Sequence, residues 1–450
     1  MKVTPVILAA GQGTRMKSSL PKVLHPILGH PLAWYALEAV HQVTDEKPVM
    51  VVGHGADQVR QQFAESVRFV VQELQLGTGH AVMQAETLLR GQSDTVLVTY
   101  ADMPLICADT LRQIIDLHQS HDGPVTMLTV NAREPRGFGR ILRDAGGNII
   151  AILEEAQATP EQRAIRELNP GVYCFRAGWL WDALHRIKPA PQKGEYYLTD
   201  LVEMAAKQGH SIRAVTTDDE DQMIGVNTRV HLAEAAAALQ RRIHHDWMLA
   251  GVTIVDPSHT YIEPDVSIGQ DTTIWPATYL RGKTVIGRHC EIGPNAIVQD
   301  SQLGNGVKVL ASVIEKAVLE DDVDIGPFGH LRKGAHLAQG VHLGNFGEVK
   351  NSYLGQGTKM GHFSYIGDAQ IGEGVNIGAG TITCNFDMAG KKNPTEIGAG
   401  AFIGSDTMLV APVKIGKGSA TGSGSVVTKN VPDQTLVVGV PARAIRKLEK

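Results

Sequence analysis

The chain has 450 residues, which at about 150 residues per domain predicts two or three domains, and 43% hydrophobic with 20% charged residues exclude a disordered chain. A formal charge of −5, from 42 Lys and Arg against 47 Asp and Glu, argues against nucleic-acid wrapping and polybasic membrane docking. The cysteines Cys107, Cys174, Cys290 and Cys384 form no CxxC pair, which excludes a disulfide framework and a cysteine-based zinc site and fits a reducing cytoplasm.

The chain opens on MKVTPVILAAGQGTRM. Its apolar stretch Val6–Ala10 runs into a Gly- and Arg-containing loop with no small-residue cleavage site, so it reads as a first buried strand and not as a signal peptide. No apolar run approaches the ~20 residues a spanning helix needs, and a soluble, cytoplasmic protein is expected. Val49–Val52, Val67–Val71, Val96–Thr99 and Val125–Val130 read as further buried strands, while Leu32–Val43, His80–Leu89 and Ala108–His118 carry helical spacing of apolar positions. This alternation predicts an α/β domain with a parallel or mixed sheet and ligands beyond the strand C-termini. Asn227–Ala250, with its run HLAEAAAALQRRIHH, is built from strong helix formers and predicts one long connecting helix.

Glycine then changes the picture: residues 1–250 hold 18 of the 48 glycines and residues 251–450 hold 30. Aliphatic residues recur six apart at Ile325, Leu331, Leu337, Leu343 and Val349, and again at Ile397, Ile403, Leu409 and Ile415. Aliphatic–Gly pairs mark the same phase at Ile268, Ile286, Ile292, Leu303, Leu354, Met360, Ile366, Ile371 and Ile377. Six residues per side with one aliphatic pointing inward predict a parallel β-helix of triangular section. The glycine after each aliphatic is expected to turn the corner with positive φ. Ala442–Lys450 (ARAIRKLEK) predicts a short amphipathic C-terminal helix. The expected boundaries are residues 1–227, a linker helix over 228–250, and a β-helix over 251–450. Such prisms resemble the left-handed hexapeptide-repeat acyltransferases, a family that assembles as trimers.

The sharpest local motif is Leu8-Ala9-Ala10-Gly11-Gln12-Gly13-Thr14-Arg15-Met16 followed by Pro21-Lys22. A strand enters a loop whose glycines let backbone N–H groups approach a phosphate, and Arg15 and Lys22 add positive charge there. It has neither the spacing of a dinucleotide fold nor the GKS or GKT of a P-loop, and it resembles the sugar-1-phosphate nucleotidylyltransferases. Asp102 in Tyr100-Ala101-Asp102 follows a strand end, where a carboxylate meets a divalent cation and phosphates; the alternative is a cap on the next helix. Gln72 and the turn Leu76-Gly77-Thr78-Gly79 offer groups suited to a pyrimidine edge. In the glycine-rich region, His362 keeps company with Arg332-Lys333, Glu348, Lys350, Tyr365, Asn376 and Asn385 on a wall otherwise made of Ile, Val, Gly and Ala. After Ile377 and Thr383 the repeat lapses over Cys384–Pro394 and resumes at Ile397; an insertion ejected from a regular solenoid is often functional.

Both regions, in this order and over nearly the whole chain, resemble the bacterial bifunctional N-acetylglucosamine-1-phosphate uridylyltransferase/glucosamine-1-phosphate N-acetyltransferase family. The resemblance implies that Leu8, Ala9, Ala10, Gly11, Gln72, Gly77 and Thr78 hold the nucleotide of UTP. Lys22 would contact phosphate, and Tyr100, Ala101, Asp102, Gly139, Glu154 and Asn169 would line the sugar side. Asp102 and Asn227 would hold Mg2+. With Mg2+, Arg15 and Lys22 would neutralise the two polyanions as a sugar phosphate attacks the α-phosphorus and pyrophosphate leaves. For acetyl transfer the resemblance makes His362 the general base and Glu348 its orienting carboxylate. Arg332 and Lys350 would grip the sugar phosphate, and Tyr365, Asn376 and Asn385 the sugar. Acetyl-CoA would touch Ala379, Asn385, Phe386, Ser405 and Ser423, with an oxyanion donor expected at the backbone N–H near Ala379. Departures from the family cluster here: Phe386 replaces a common Tyr, Ser423 a common Ala, and Gly439 an Arg for which Arg443 in VPAR is the expected substitute. The expected partners are the small-molecule substrates and two further copies in a homotrimer, with no nucleic acid and no membrane. The competing readings are a monofunctional nucleotidylyltransferase whose β-helix is structural or regulatory, and a non-enzymatic scaffold, which leaves the Gly11–Arg15 loop and Asp102 unexplained.

Overall fold

The structure, a computed structural model, describes residues 1–190 and 194–447 and divides into two compact units, Met1–Leu239 and Gln240–Lys450. Among the described residues, unit one has a ten-stranded mixed sheet. Strands β1 (Val3–Ala9), β2 (Val49–Val52), β3 (Arg68–Val71) and β4 (Thr95–Tyr100) are parallel in the order β3-β2-β1-β4. Strands β5 (Val125–Asn131), β6 (Gly139–Arg143), β7 (Ile149–Leu153), β8 (Glu167–Asn169) and β9 (Tyr173–Arg176) continue it antiparallel as β4-β9-β5-β8-β6-β7. Strand β10 (Ile212–Thr217) runs parallel to β5. The central strands are apolar on both faces because both are covered: Ile7, Met50 and Leu97 pack with Leu111 on one side, and Val6, Val49 and Val98 with Trp181 on the other.

The five strands expected from the apolar runs all form. The segment His80–Leu89 differs, breaking into helices Thr78–Met83 and Glu86–Leu89. The Gln84 side chain donates to the His80 carbonyl at 3.0 Å, while the Gln84 N–H turns to Ala81 at 3.2 Å. A side chain has thus taken the acceptor that would have continued the helical ladder. Further on, the helix Arg229–Leu249 packs Ala235, Ala238 and Leu239 into a cluster of unit one with Met16, Leu32 and Val226. Its second half belongs to unit two, where the Gln240 amide both donates to and accepts from the backbone of Ile262 at 2.9 and 3.2 Å. No helix among the described residues is long and apolar enough to cross a membrane.

Unit two is a left-handed parallel β-helix whose three faces hold 12, 10 and 9 strands among the described residues. Coil stacks on coil in register, as in Ile325–Leu343–Met360 on the first face, Leu331–Val349–Ile366 on the second and Leu337–Leu354–Ile371 on the third. These side chains fill one continuous interior column.

Two expectations are corrected here. In these aliphatic–Gly pairs the glycine carries positive φ at Gly293, at 96°, but not at the other eight. For several of those the conformation falls two residues later, at Asp271, His289, Gly306, Gly357 and Gly374. The first glycine instead makes room for the neighbouring coil, since a Cβ at Gly355 would stand 2.5 Å from the Gly372 carbonyl carbon. The C-terminal segment is not a helix: Ala442–Lys447 is a strand antiparallel to Thr435–Gly439, and 448–450 lie outside the described residues. The last coil presents unpaired backbone groups, and satisfying them outweighs the amphipathic spacing.

Two predictions follow from this packing. Gly355→Ala is expected to destabilise unit two by about 1–3 kcal/mol, an overpacking cost. At Gly357, where φ is 65° and the space is open, Gly357→Asn should shift thermal unfolding of the full chain much less, because Asn tolerates the left-handed region. In unit one, His118 is fully buried, its Nδ1 3.0 Å from the Thr126 hydroxyl. Burial, then the charges of Arg176 and His121, push its pKa down to about 4. The unfolded chain therefore binds the extra proton between about pH 6.5 and 4, so stability falls on acidification through that window, by up to about 3 kcal/mol. Urea unfolding at pH 4.5 and 7 should show a smaller difference for His118→Gln than for wild type.

Candidate active sites

In unit one the site lies at the C-terminal ends of the parallel strands. Strand β1 releases Ala10 and Gly11 into a loop whose Gly13 adopts φ 62° and packs so closely that a Cβ would meet the Lys22 Cβ at 2.8 Å. Strand β4 ends at Tyr100, pinned where the Ala101 N–H reaches the Leu8 carbonyl at 3.0 Å, and delivers Asp102 beside the loop. The Asp102 carbonyl accepts from the Val226 N–H at 2.8 Å, which brings Asn227 in from far along the chain. The Lys22 ammonium bonds the Asp102 carboxylate and lies 3.1 Å from Asn227 Oδ1. Arg15 donates to that same oxygen at 3.1 Å. Lys22 and Asp102 are mostly buried, at 11% and 19% side-chain exposure, so this contact is far less screened than a surface pair.

A cavity of 460 Å³ opens above this cluster, lined by Leu8, Ala9, Ala10, Gly11, Arg15, Lys22, Gln72, Gly77, Thr78, Tyr100 and Asp102 among others. Gln72 is buried, its amide nitrogen 3.0 Å from both the Gly77 carbonyl and His80 Nδ1. Burial, then the charges of Asp102 and Glu154, raise the Tyr100 pKa, with a Thr78 hydrogen bond opposing. Asn227 joins the site through Arg15 and Lys22.

Four other candidates are not among the residues lining this cavity. Ala101 is fully buried. Gly139 lies in β6, where a Cβ would be 2.7 Å from Ile152 Cγ2. Glu154 accepts from the Thr199 hydroxyl at 3.1 Å. Asn169 accepts from the Gly171 N–H and the Tyr173 hydroxyl at 3.1 and 3.0 Å, and Gly171 lies against the Tyr100 ring.

Sequence reading missed Gln75, Glu195 and Tyr197, which also line the cavity. The signal was the run Gly194-Glu195-Tyr196-Tyr197, whose two aromatics flanked by polar residues fit no amphipathic period. Tyr196 exchanges backbone bonds of 2.8 Å with Leu76 and Gly79, and a Cβ at Gly77, where φ is 94°, would meet the Tyr196 carbonyl at 2.6 Å. Burial and the neighbouring Glu195 push the Tyr197 hydroxyl up to about 12.

In unit two the register sorts the candidates into columns. Positions three residues beyond the paired His342, Lys359, Asn376, Phe402 and Ala420 are Asn345, His362, Ala379, Ser405 and Ser423. They stack along one corner of the prism. Tyr365 pairs with Glu348 on the second face, where Arg332 and Lys350 follow the paired Leu331 and Val349. Asn376 lies on the first face, so the corner separates it from Tyr365.

The His362 imidazole is exposed, and no side-chain hydrogen bond to it occurs among the described residues. Glu348 Oε1 bonds the Arg332 guanidinium at 2.8 Å, which raises the Arg332 pKa. A guanidinium offers a carboxylate a stronger, charge-assisted partner than a neutral imidazole; His362 stands on the next coil, three residues before Tyr365, the register partner of Glu348. Asn385 is buried at the root of the ejected loop, whereas Phe386 is 66% exposed. Arg443 is exposed in the terminal hairpin, paired with Val438 next to Gly439.

Residues 5–248 match the MobA-like NTP transferase domain family, and residues 265–300 and 394–429 match the bacterial transferase hexapeptide (six repeats) family. The bifunctional protein GlmU of Syntrophomonas wolfei is 46% identical over 440 residues, 97% of each chain. Its counterpart in Geobacillus sp. strain WCH70 is 46% identical over 443 residues, 98% of this chain and 96% of that one. The Heliobacterium modesticaldum protein of the same name is 46% identical over 438 residues, 97% of this chain and 95% of that one. With both halves matched in order and nearly end to end, the chain belongs to the family of bifunctional GlmU proteins.

Proposed function

We propose that unit two acetylates glucosamine 1-phosphate from acetyl-CoA and that unit one then joins the product, N-acetylglucosamine 1-phosphate, to the uridylyl group of UTP. What carries the reading is the convergence of Arg15, Lys22, Asp102 and Asn227 under a glycine loop at strand C-termini. Two cations and two oxygen donors at one point suit polyphosphate better than any neutral ligand.

For uridylyl transfer, a sugar-phosphate oxygen bonds to the α-phosphorus of UTP as the bridge to the β-phosphate breaks. No protein base is needed, since the attacking phosphate is already ionised. Arg15 and Lys22 offset the charge gathered on the phosphates, and backbone N–H groups of Ala10 and Gly11 bind the nucleotide. The Gln72 amide nitrogen is already engaged, which leaves its carbonyl oxygen to accept from a pyrimidine N–H. Asp102 Oδ2 and Asn227 Oδ1 already converge on one cation, the Lys22 ammonium, and such an oxygen pair fits Mg2+. Mg2+ bound there supplies further neutralisation of phosphate charge. Gly139, Glu154 and Asn169 are assigned to the sugar side, next to Tyr100.

For acetyl transfer, His362 takes a proton from the sugar amine as its nitrogen bonds to the thioester carbonyl carbon. The C–S bond then breaks and the coenzyme leaves as its thiol. Arg332, oriented by Glu348, and Lys350 receive the sugar phosphate, while Tyr365 and Asn376 flank the corner. The column Ala379, Ser405 and Ser423, with Asn385, Phe386 and Arg443, is assigned to acetyl-CoA, and the Ala379 N–H to the oxyanion. We place these sites in a homotrimer. Supporting this, Phe328 and Phe346 stack at 5.2 Å while 59% and 58% exposed, and Phe363 beside His362 is 56% exposed. That is an apolar stripe of the kind a second copy covers.

His362→Ala is expected to lower acetyl-CoA-dependent loss of the glucosamine 1-phosphate amine by about 10²–10⁴-fold, with UTP-dependent pyrophosphate release unchanged. Lys22→Ala should do the reverse, cutting pyrophosphate release by about 10²-fold or more. A wild-type chain that releases pyrophosphate and does not acetylate would reduce the β-helix to a scaffold or sensor.

A further inference from the structure

Where the repeat lapses, the ejected loop 385–394 is rooted on one carboxylate. Asp368 Oδ2 accepts from Asn385 Nδ2 at 2.6 Å and its Oδ1 from Asn351 Nδ2 at 2.6 Å. The backbone of Asp368 joins the same assembly: its N–H reaches the Lys350 carbonyl at 3.2 Å, and its carbonyl accepts from Thr395, where the loop rejoins the coil, at 3.1 Å. Residue 368 holds φ 50°, a left-handed corner that Asp tolerates.

A carboxylate offers only acceptors, so the Asn385 NH2 must face Asp368 and the Asn385 carbonyl oxygen must face away. Asn385 is only 7% exposed, which leaves it little freedom to flip. It lies beside the Tyr365 hydroxyl over Gly367, where an added Cβ would come within 2.7 Å of Asn385 Nδ2 and also collide with Tyr365. Gly367 is therefore the floor of a small cradle whose walls are Tyr365 and Asn385.

We infer that Asp368 is a positioning residue for acetyl transfer, fixing the Asn385 amide so that its carbonyl oxygen presents an acceptor to an N–H of the attacking amine. This rests on the acetyl-transfer reading of unit two. Asp368 itself touches neither substrate; it acts through Asn385 and through the root of the loop.

The test is a double-mutant cycle in the full chain with Asp368→Asn, Asn385→Ala and the pair, following acetyl transfer with pyrophosphate release as the internal control. Asp368→Asn removes one acceptor and frees the amide to flip. It is expected to lower kcat/KM for glucosamine 1-phosphate by about 10–100-fold, the scale of a misplaced contact, with pyrophosphate release unchanged. The pair should lose no more than Asn385→Ala alone, because both changes remove one function. Additive losses, or Asp368→Asn kinetics within about twofold of wild type, would overturn the inference. If Asp368→Asn does not fold, Asp368→Glu keeps both acceptors but displaces them, and an unchanged KM for the amino sugar in that variant overturns it equally. A wild-type chain with no acetyl transfer overturns the reading of unit two and this inference together, whereas an active wild type beside an unaffected Asp368→Asn removes the inference alone.

Discussion

A coil of the β-helix can satisfy its backbone N–H and C=O groups only by lying one hydrogen-bond spacing, about 4.8 Å, from the coil before it. Most of what unit two shows follows from that distance. Inward positions must repeat in register, which is why Ile325, Leu343 and Met360 form one line. Glycine is required where a corner presses on the next coil's backbone, as Gly355 does on Gly372. Outward positions repeat in register as well, so a wall of isolated side chains becomes a set of columns. His362 stands in such a column with Ala379, Ser405 and Ser423, and the regularity that builds the core thereby also builds an extended surface.

Unit one solves a different problem. Its parallel strands end together, so loops from β1 and β4 meet at one edge, and each brings a charged side chain to the meeting point. Lys22 beside Asp102 and Asn227 is costly to desolvate and gains that back only through good geometry. An arrangement of this kind makes sense where a polyanion enters and redistributes the partners. Tyr100, its hydroxyl hydrogen-bonded to Thr78, and Gly171 beneath its ring give the wall a fixed shape, with Asn169 holding Gly171 from the other side.

How much of this was legible depended on whether the signal was periodic. The six-residue repeat and the apolar strands could be read because packing imposes them over many residues. The break at Gln84 could not, since one side-chain amide decides it. The terminal strand Ala442–Lys447 escapes sequence reading for a related reason: its alternation is weak, and the open sheet edge just before it, Thr435–Gly439, captures it as a hairpin. Among the site residues, Arg15, Lys22 and Asp102 announce themselves by chemistry. Glu195 and Tyr197 come to the cavity through a loop with no period. The Glu348–Arg332 pair exposes a further limit: sequence shows which charges share a wall, but not which of them pair.

The ejected loop combines both kinds of information. Its root is fixed, by Asp368 on one side and by Asp387, which accepts from the Ala389 and Lys391 N–H groups and from the Asn393 side chain at 3.0, 2.9 and 2.9 Å. Its tip carries Phe386 and Met388, 66% and 108% exposed. Ordering a ten-residue insertion costs conformational entropy that two exposed apolar side chains do nothing to offset within the chain. The polar network therefore does the ordering, and the apolar groups are left for a binding partner. A ligand that meets them finds the loop already in place, and its binding energy is not spent on closing it. For acetyl transfer that is the useful economy, because a long, flexible coenzyme has its own entropy to lose and the amine must reach the thioester from a fixed direction.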